Sequence, residues 1–353
     1  TEAVGQVVER VSTPWTREDA RTLAALAAAG LVFVAALLLA TTPPDALTAL
    51  DPKGVTRYNF IAGAIGIVAA LLVTATSVVM TRKHPQASGI ALAHSVPFLT
   101  AAAALRLSQS HWDTAGWAWT GLGLLIGSLA VLTLTKRYRI SIAAPLVVGT
   151  VLAATGLLVR LGQLSQAGVS AILFALMIVL LQVAPWIALA HIPVRILDAD
   201  TTEQIPAKGI TDQVSTSFVF VVALRSGGAI AALFLTVSLM TAPEMRSVSL
   251  PLTLIMLGAV SLVLQTRSIR ARVEVLLGAL TGLVVILVAT VLSAYKDPRM
   301  MPWLTLAAIA TALVLVVTNV VGPRARPHLT RIADTISVLS LFVLLPLAVY
   351  LWS

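Results

Sequence analysis

Cysteine is absent from all 353 residues, which excludes disulfides, thiolate metal ligands and nucleophilic thiol chemistry. Charge is scarce as well. Asp, Glu, Lys and Arg together make up 11% of the chain against 58% hydrophobic residues, and mean hydropathy is +0.95. A water-facing surface cannot be built from that alphabet, so although the length alone would allow two soluble domains, composition points to a polytopic membrane protein. Short strands of alternating character are missing, which argues against a membrane β-barrel. The spans are therefore helices, because lipid offers no hydrogen-bond partner to an unpaired backbone. Residues 1–21 lack an apolar core of the signal-peptide kind, so the first span is expected to be uncleaved. The first residue is Thr, not Met, which predicts a chain cut from a longer one.

Catalytic patterns are equally sparse. Neither G-x-x-x-x-G-K-[ST] nor G-x-S-x-G occurs. Ser226-Gly227-Gly228 reads as a helix start or flexible joint, since no strand precedes it. The five histidines (His84, His94, His111, His191 and His328) show no helical metal spacing such as H-E-x-x-H. His94, inside a span, is either a relay group or a hydrogen-bonding contact to a neighbouring helix; Gln182 and Asn319 read as such contacts. The fifteen acidic residues fall in connectors or within about one turn of a span end, Glu274 and Asp334 among them. With no ionisable pair expected inside the bilayer, a proton- or sodium-coupled pump is disfavoured. No cofactor, metal site or catalytic residue is expected.

What the chain does contain is apolar runs of about 17 to 25 residues, the length that crosses a bilayer as a helix. They lie near 22–41, 59–80, 88–106, 115–135, 140–160, 169–190, 226–242, 248–265, 273–294, 302–321 and 332–352. The reading is an all-α integral membrane bundle of about eleven transmembrane helices. Residues 191–225 form the longest polar interval and divide it. The expected organisation is an arm over 1–21, helices 1–6 over 22–190, a cytoplasmic loop over 191–225, and helices 7–11 over 226–353, with a bundle on each side of the loop.

The formal charge of +9 would suggest nucleic acid in a soluble protein; here basic residues border the spans and set orientation, and no nucleic acid is expected. With the N-terminus cytoplasmic, the inner segments hold 17 Lys and Arg and the outer ones 7, which places the C-terminus outside. Tyr58, Trp112, Trp117, Trp119, Trp303, Tyr350 and Trp352 then form an interfacial belt toward the outer face. Small residues such as Gly63, Gly66, Gly121, Gly123 and Gly127 are packing signals that let helices approach in lipid. Prolines at Pro97, Pro145, Pro185, Pro251 and Pro346 can kink spans, yet six spans plus five do not pair as the halves of a broken-helix transporter. The basic groups Arg267, Arg270 and Arg272, and Arg324 and Arg326, with Arg195 and Lys208 in the central loop, are either topology determinants alone or contacts for anionic lipid headgroups or an acidic partner.

Local strings add a resemblance. Thr13-Pro14-Trp15-Thr16-Arg17 with Asp19 and Arg21, the Pro185-Trp186 to Pro193 exit followed by Pro206, the Arg267 to Arg272 connector, and the closing Arg331 to Trp352 span with Pro346 resemble EccD, the multi-spanning membrane component of mycobacterial type VII (ESX) secretion systems. The resemblance covers the whole chain. It implies a non-enzymatic scaffold of the bacterial inner (plasma) membrane, dimerising with a second EccD copy around a lipid-filled space and holding the ATPase EccC and the components EccB and EccE. It also implies an N-terminal ubiquitin-like cytosolic domain ahead of Thr1. The alternative is a polytopic transporter or flippase for a lipid or hydrophobic solute; an integral-membrane transferase would want carboxylates or a His cluster near an interface.

Overall fold

The computed structural model describes residues 17–41, 52–83, 87–110, 112–134, 142–190, 207–245, 247–266, 272–302, 304–305, 309 and 326–352, and its regular elements are helical. In chain order they are α1 (Arg17–Thr41), α2 (Pro52–Lys83), α3 (Ala87–Leu107), α4 (Thr114–Leu134), α5 (Ala143–Leu161), α6 (Gln166–Ala190), α7 (Ala207–Thr241), α8 (Ser249–Gln265), α9 (Arg272–Lys296) and α10 (Arg326–Trp352). Seven stretches are long and apolar enough to cross a membrane, and three shorter apolar ones lie in α1, α3 and α8. Ten of the spans read from the sequence thus coincide with helices. The other, 302–321, lies mostly outside the described residues, as do the arm over residues 1–16 and residues 191–206.

Two expectations change. Residues 191–225 are not all loop, because α7 is helical from Ala207 and its apolar stretch begins at Ser217. Nor does the polar interval divide the chain. Compact units comprise residues 1–145 and 146–353, and α6 and α7, on either side of the interval, pack against each other in the second unit. A long connector separates helices in sequence without separating them in space. Ser226-Gly227-Gly228 is likewise no helix start: it lies mid-way along the 35-residue α7, where a Cβ on Gly228 would stand 2.5 Å from Leu181 of α6.

In the first unit α3 is the hub, with α1, α2 and α4 packed around it. It is Ala-rich and buried on nearly every side, with Val96, Leu99, Ala101, Ala102, Ala103 and Leu105 all enclosed, as expected of a helix whose neighbours are helices rather than solvent or lipid. Phe98 meets Phe33 of α1 edge-to-face at 5.1 Å. The small residues singled out from the sequence sit at these contacts: a Cβ on Gly66 would lie 2.9 Å from Ala103, and one on Gly123 only 2.6 Å from the Thr100 carbonyl.

One end of this unit is tied by polar groups. Arg106 of α3 donates from Nε to the carbonyl of Leu39 and from Nη1 to Asn59 Oδ1 at 3.3 Å; Trp112 donates to the Ala40 carbonyl at 3.2 Å. The last carbonyls of α1, which have no helical partner of their own, are thereby satisfied. Arg106→Met is expected to lower stability by about 1–3 kcal/mol, the cost of stranding such acceptors, read as an earlier thermal unfolding transition in detergent.

The second unit is built on α6, which contacts α7, α8 and α10, while α9 lies against α7 and α8. Phe174, Ile178, Leu235, Leu239, Leu254, Ile255, Val285 and Leu344 form one continuous core. Gly258 of α8 lets that helix close on Phe174, to 2.7 Å from where a Cβ would stand.

Candidate functional site: a buried polar layer and a basic end in the second unit

Arg225 and Glu274 are the charged pair of this unit. Arg225 lies eight residues beyond Ser217, about 12 Å along the apolar stretch of α7, and is 5% exposed; Glu274, in the first turn of α9, is 8% exposed. Their charged atoms approach to 3.6 Å, and Nη1 also reaches toward the Glu274 carbonyl at 3.5 Å. Arg225 Nε and Nη2 have no hydrogen-bond partner among the described residues. Beside them α8 contributes Gln265, which donates to the Gln182 carbonyl at 2.9 Å, and Gln182 in turn donates to Ser261. Four helices, α6 to α9, thus share one polar layer.

What the sequence reading did not foresee is that Arg225, placed at the edge of a span, lies within the apolar stretch of α7 and pairs with Glu274 in the first turn of α9. The hydropathy run was read as starting after Arg225 because a guanidinium inside a span is costly. The helix tolerates it because a carboxylate from α9 stands beside it. The only trace in the sequence is the pairing of one Arg and one Glu just inside two different spans, which no spacing rule connects.

Chemically the layer ties α6 to α9 together through hydrogen bonds and one ion pair. The other described charges with contacts in this unit, Glu244 accepting from the Gln166 amide at 3.2 Å and Lys296 donating to the carbonyls of Met240 and Ala242 at 3.2 and 3.3 Å, sit at the opposite end. Met240 is fifteen residues from Arg225, about 22 Å along α7; Ala231, Ala232 and Leu235 occupy the middle of the interval, and Thr236 and Ser238, nearer Met240, hydrogen-bond to the Ala232 carbonyl and to Ser170 and Gln166 of α6. A proton relay needs groups within hydrogen-bond reach of one another, and the described residues provide none across that gap. Among them, too, no group of three His, Asp or Glu is placed to hold a metal ion.

These contacts also sort the helix ends. Arg225–Glu274 and Lys296–Met240 set α7 and α9 parallel, and Gly168 of α6 faces Trp352 of α10. The N-termini of α7, α9 and α10 therefore share one end of the unit. Of the predicted contact residues, Lys208 and Arg326 lie in the first turns of α7 and α10, and Arg272 opens α9 with an exposed position. Arg195, Arg267, Arg270 and Arg324 lie outside the described residues.

With the helices and their charges placed, the family follows. The EccD-like transmembrane domain matches residues 20–353. The chain belongs to the EccD-like transmembrane domain family. Solved structures agree in fold: protomer 1 of the ESX-3 core complex is 17% identical over 100% of this chain and 80% of its own, with a TM-score of 0.69. A chain of the MycP5-free ESX-5 inner membrane complex, state II, is 16% identical over 91% of this chain and 75% of its own, with a TM-score of 0.66. No curated protein matches the sequence. The EccD-like chain is thus a multi-pass, all-helical membrane protein, as its composition required.

Proposed function

We propose that this EccD-like chain is a non-enzymatic scaffold subunit of a type VII (ESX) protein secretion complex in a bacterial inner membrane. The family match over residues 20–353 carries the reading, and the ESX-3 and ESX-5 neighbours support it through the fold. On this reading the N-terminus is cytoplasmic and the C-terminus outside. Two copies associate, and the basic end holding Lys208, Arg272 and Arg326 faces the cytoplasm, where it and the connectors carrying Arg195, Arg267, Arg270 and Arg324 meet the ATPase EccC and the EccB and EccE components. The Arg225–Glu274 pair fits this role: it neutralises itself and fastens α7 to α9, and the described residues offer no second ion pair beside it.

Changing Arg267, Arg270 and Arg272 together to Glu is expected to cut co-purification of the other components at least severalfold, with membrane insertion of the chain unchanged. Equal recovery of the complex from both proteins would count against the contact. The competing reading, a transporter or flippase for a lipid or hydrophobic solute, has the buried ion pair in its favour. Native sizing after mild detergent extraction separates the two. A scaffold migrates in a large hetero-assembly, and a carrier runs as a monomer or small homo-oligomer that responds to substrate.

A further inference from the structure

The first unit contains a groove that none of its packing explains. Helices α2 and α4 flank α3 and scarcely meet each other, leaving a half-open cavity of about 600 Å³ above α3. Its floor is α3, where Val96 and Ala103 are each 1% exposed; its walls carry Leu71 of α2 and Ile126 of α4, each 65% exposed. Along α4 it runs from Trp119 to Leu134, fifteen residues or about 22 Å.

The lining states what it accepts. No charged side chain takes part. The three hydroxyls already donate internally: Thr74 to the Ala70 carbonyl at 2.6 Å, Thr100 to Gly123 at 2.7 Å and Ser108 to Leu105 at 2.8 Å. A polar solute would lose its hydration there with nothing in return. The space is also narrow, since about 600 Å³ spread over about 22 Å of helix is a mean cross-section of roughly 27 Å². A slender apolar chain fits both limits. It would be held on three sides, and Trp119, 46% exposed at one end of the groove, is the residue type that sits at headgroup level.

We propose that the groove between α2 and α4 holds one acyl chain of a membrane phospholipid, bound to the single chain as part of its structure and oriented with its headgroup at the Trp119 end. The proposal concerns the inside of one protomer and does not rest on the secretion reading, so either can fail alone. Its physical content is that the acyl chain fills the gap that α2 and α4, each packed directly on α3, leave between them.

The test uses the full chain purified in mild detergent and examined by native mass spectrometry. About one phospholipid per chain is expected to survive delipidation. Ala130→Phe, which places a ring in the groove, is expected to lower that retention at least tenfold with unchanged helicity by circular dichroism. A second measurement needs no groove-filling variant. Protein loaded with phosphatidylglycerol bearing brominated acyl chains, then diluted into excess unbrominated lipid, should show a slowly recovering part of its tryptophan fluorescence that Trp119→Phe abolishes. The proposal is overturned if the wild type retains no lipid, if Ala130→Phe retains as much, if the retained molecule is a free fatty acid, or if recovery is as fast as annular exchange. A cross-link from Ile126→Cys to another polypeptide would overturn it as well, by showing protein in the groove.

Discussion

Glu274→Leu is expected to destabilise the second unit by about 3–5 kcal/mol, because it leaves the guanidinium of Arg225 buried without its counter-charge. Arg225→Met strands the carboxylate instead and should cost a comparable amount. The double variant, Arg225→Met with Glu274→Leu, removes both charges and replaces them with apolar side chains of similar size. It is expected to lie within about 1 kcal/mol of the wild type or above it, since exchanging a buried pair for well-packed apolar groups is often neutral or favourable. Unfolding of each variant in mixed micelles gives the cycle. A double variant that loses the sum of the two single losses would show that the pair does not act as a unit. The outcome also bears on function: a double variant that still assembles has charges that only hold helices together, whereas one that assembles normally yet loses export would reopen the carrier reading.

Gly123→Val is the second large effect. A Cβ there falls 2.6 Å from the Thr100 carbonyl and 2.7 Å from the Ala101 Cα, and both are backbone atoms that cannot rotate away. Helix α4 must then move off α3, breaking the hydrogen bond from Thr100 to the Gly123 carbonyl and opening the contact around Gly127, where Pro97 Cα is 2.8 Å from a Cβ. A loss of about 1–3 kcal/mol or more is expected from overpacking of this kind. Gly30→Ala on α1 is the control, because nothing lies within 4 Å of its Cβ; it should be neutral or slightly stabilising, as the better helix former. A Gly123→Val protein that unfolds at the wild-type temperature would refute the close α3–α4 packing.

How far the sequence could be read depends on which physical signal each feature leaves. Spans were legible because a helix in lipid must be apolar over a fixed length, and the packing glycines because small residues are what membrane helices use to approach. The start of α7 was not, because the rule that charges bound spans fails where a partner neutralises the charge: Arg225 reads as an edge and lies inside. The division at Pro145 was invisible too, since a long polar interval marks an exposed connector and says nothing about which helices it joins. His94 remained open between relay and structural contact, since a lone histidine in a span fits both. The basic groups were legible as a set, and the fold adds only that Lys208, Arg272 and Arg326 stand at the starts of α7, α9 and α10.

The enclosure of α3 has a consequence for biogenesis. The segment carries Pro97, His94 and Arg106, and its apolar part spans only Ala91–Leu107, so its polar groups rely on neighbouring helices rather than on lipid. Insertion of α3 beside α1 and α2, where the Leu39 carbonyl and Asn59 take up Arg106, is therefore expected to cost less than insertion alone.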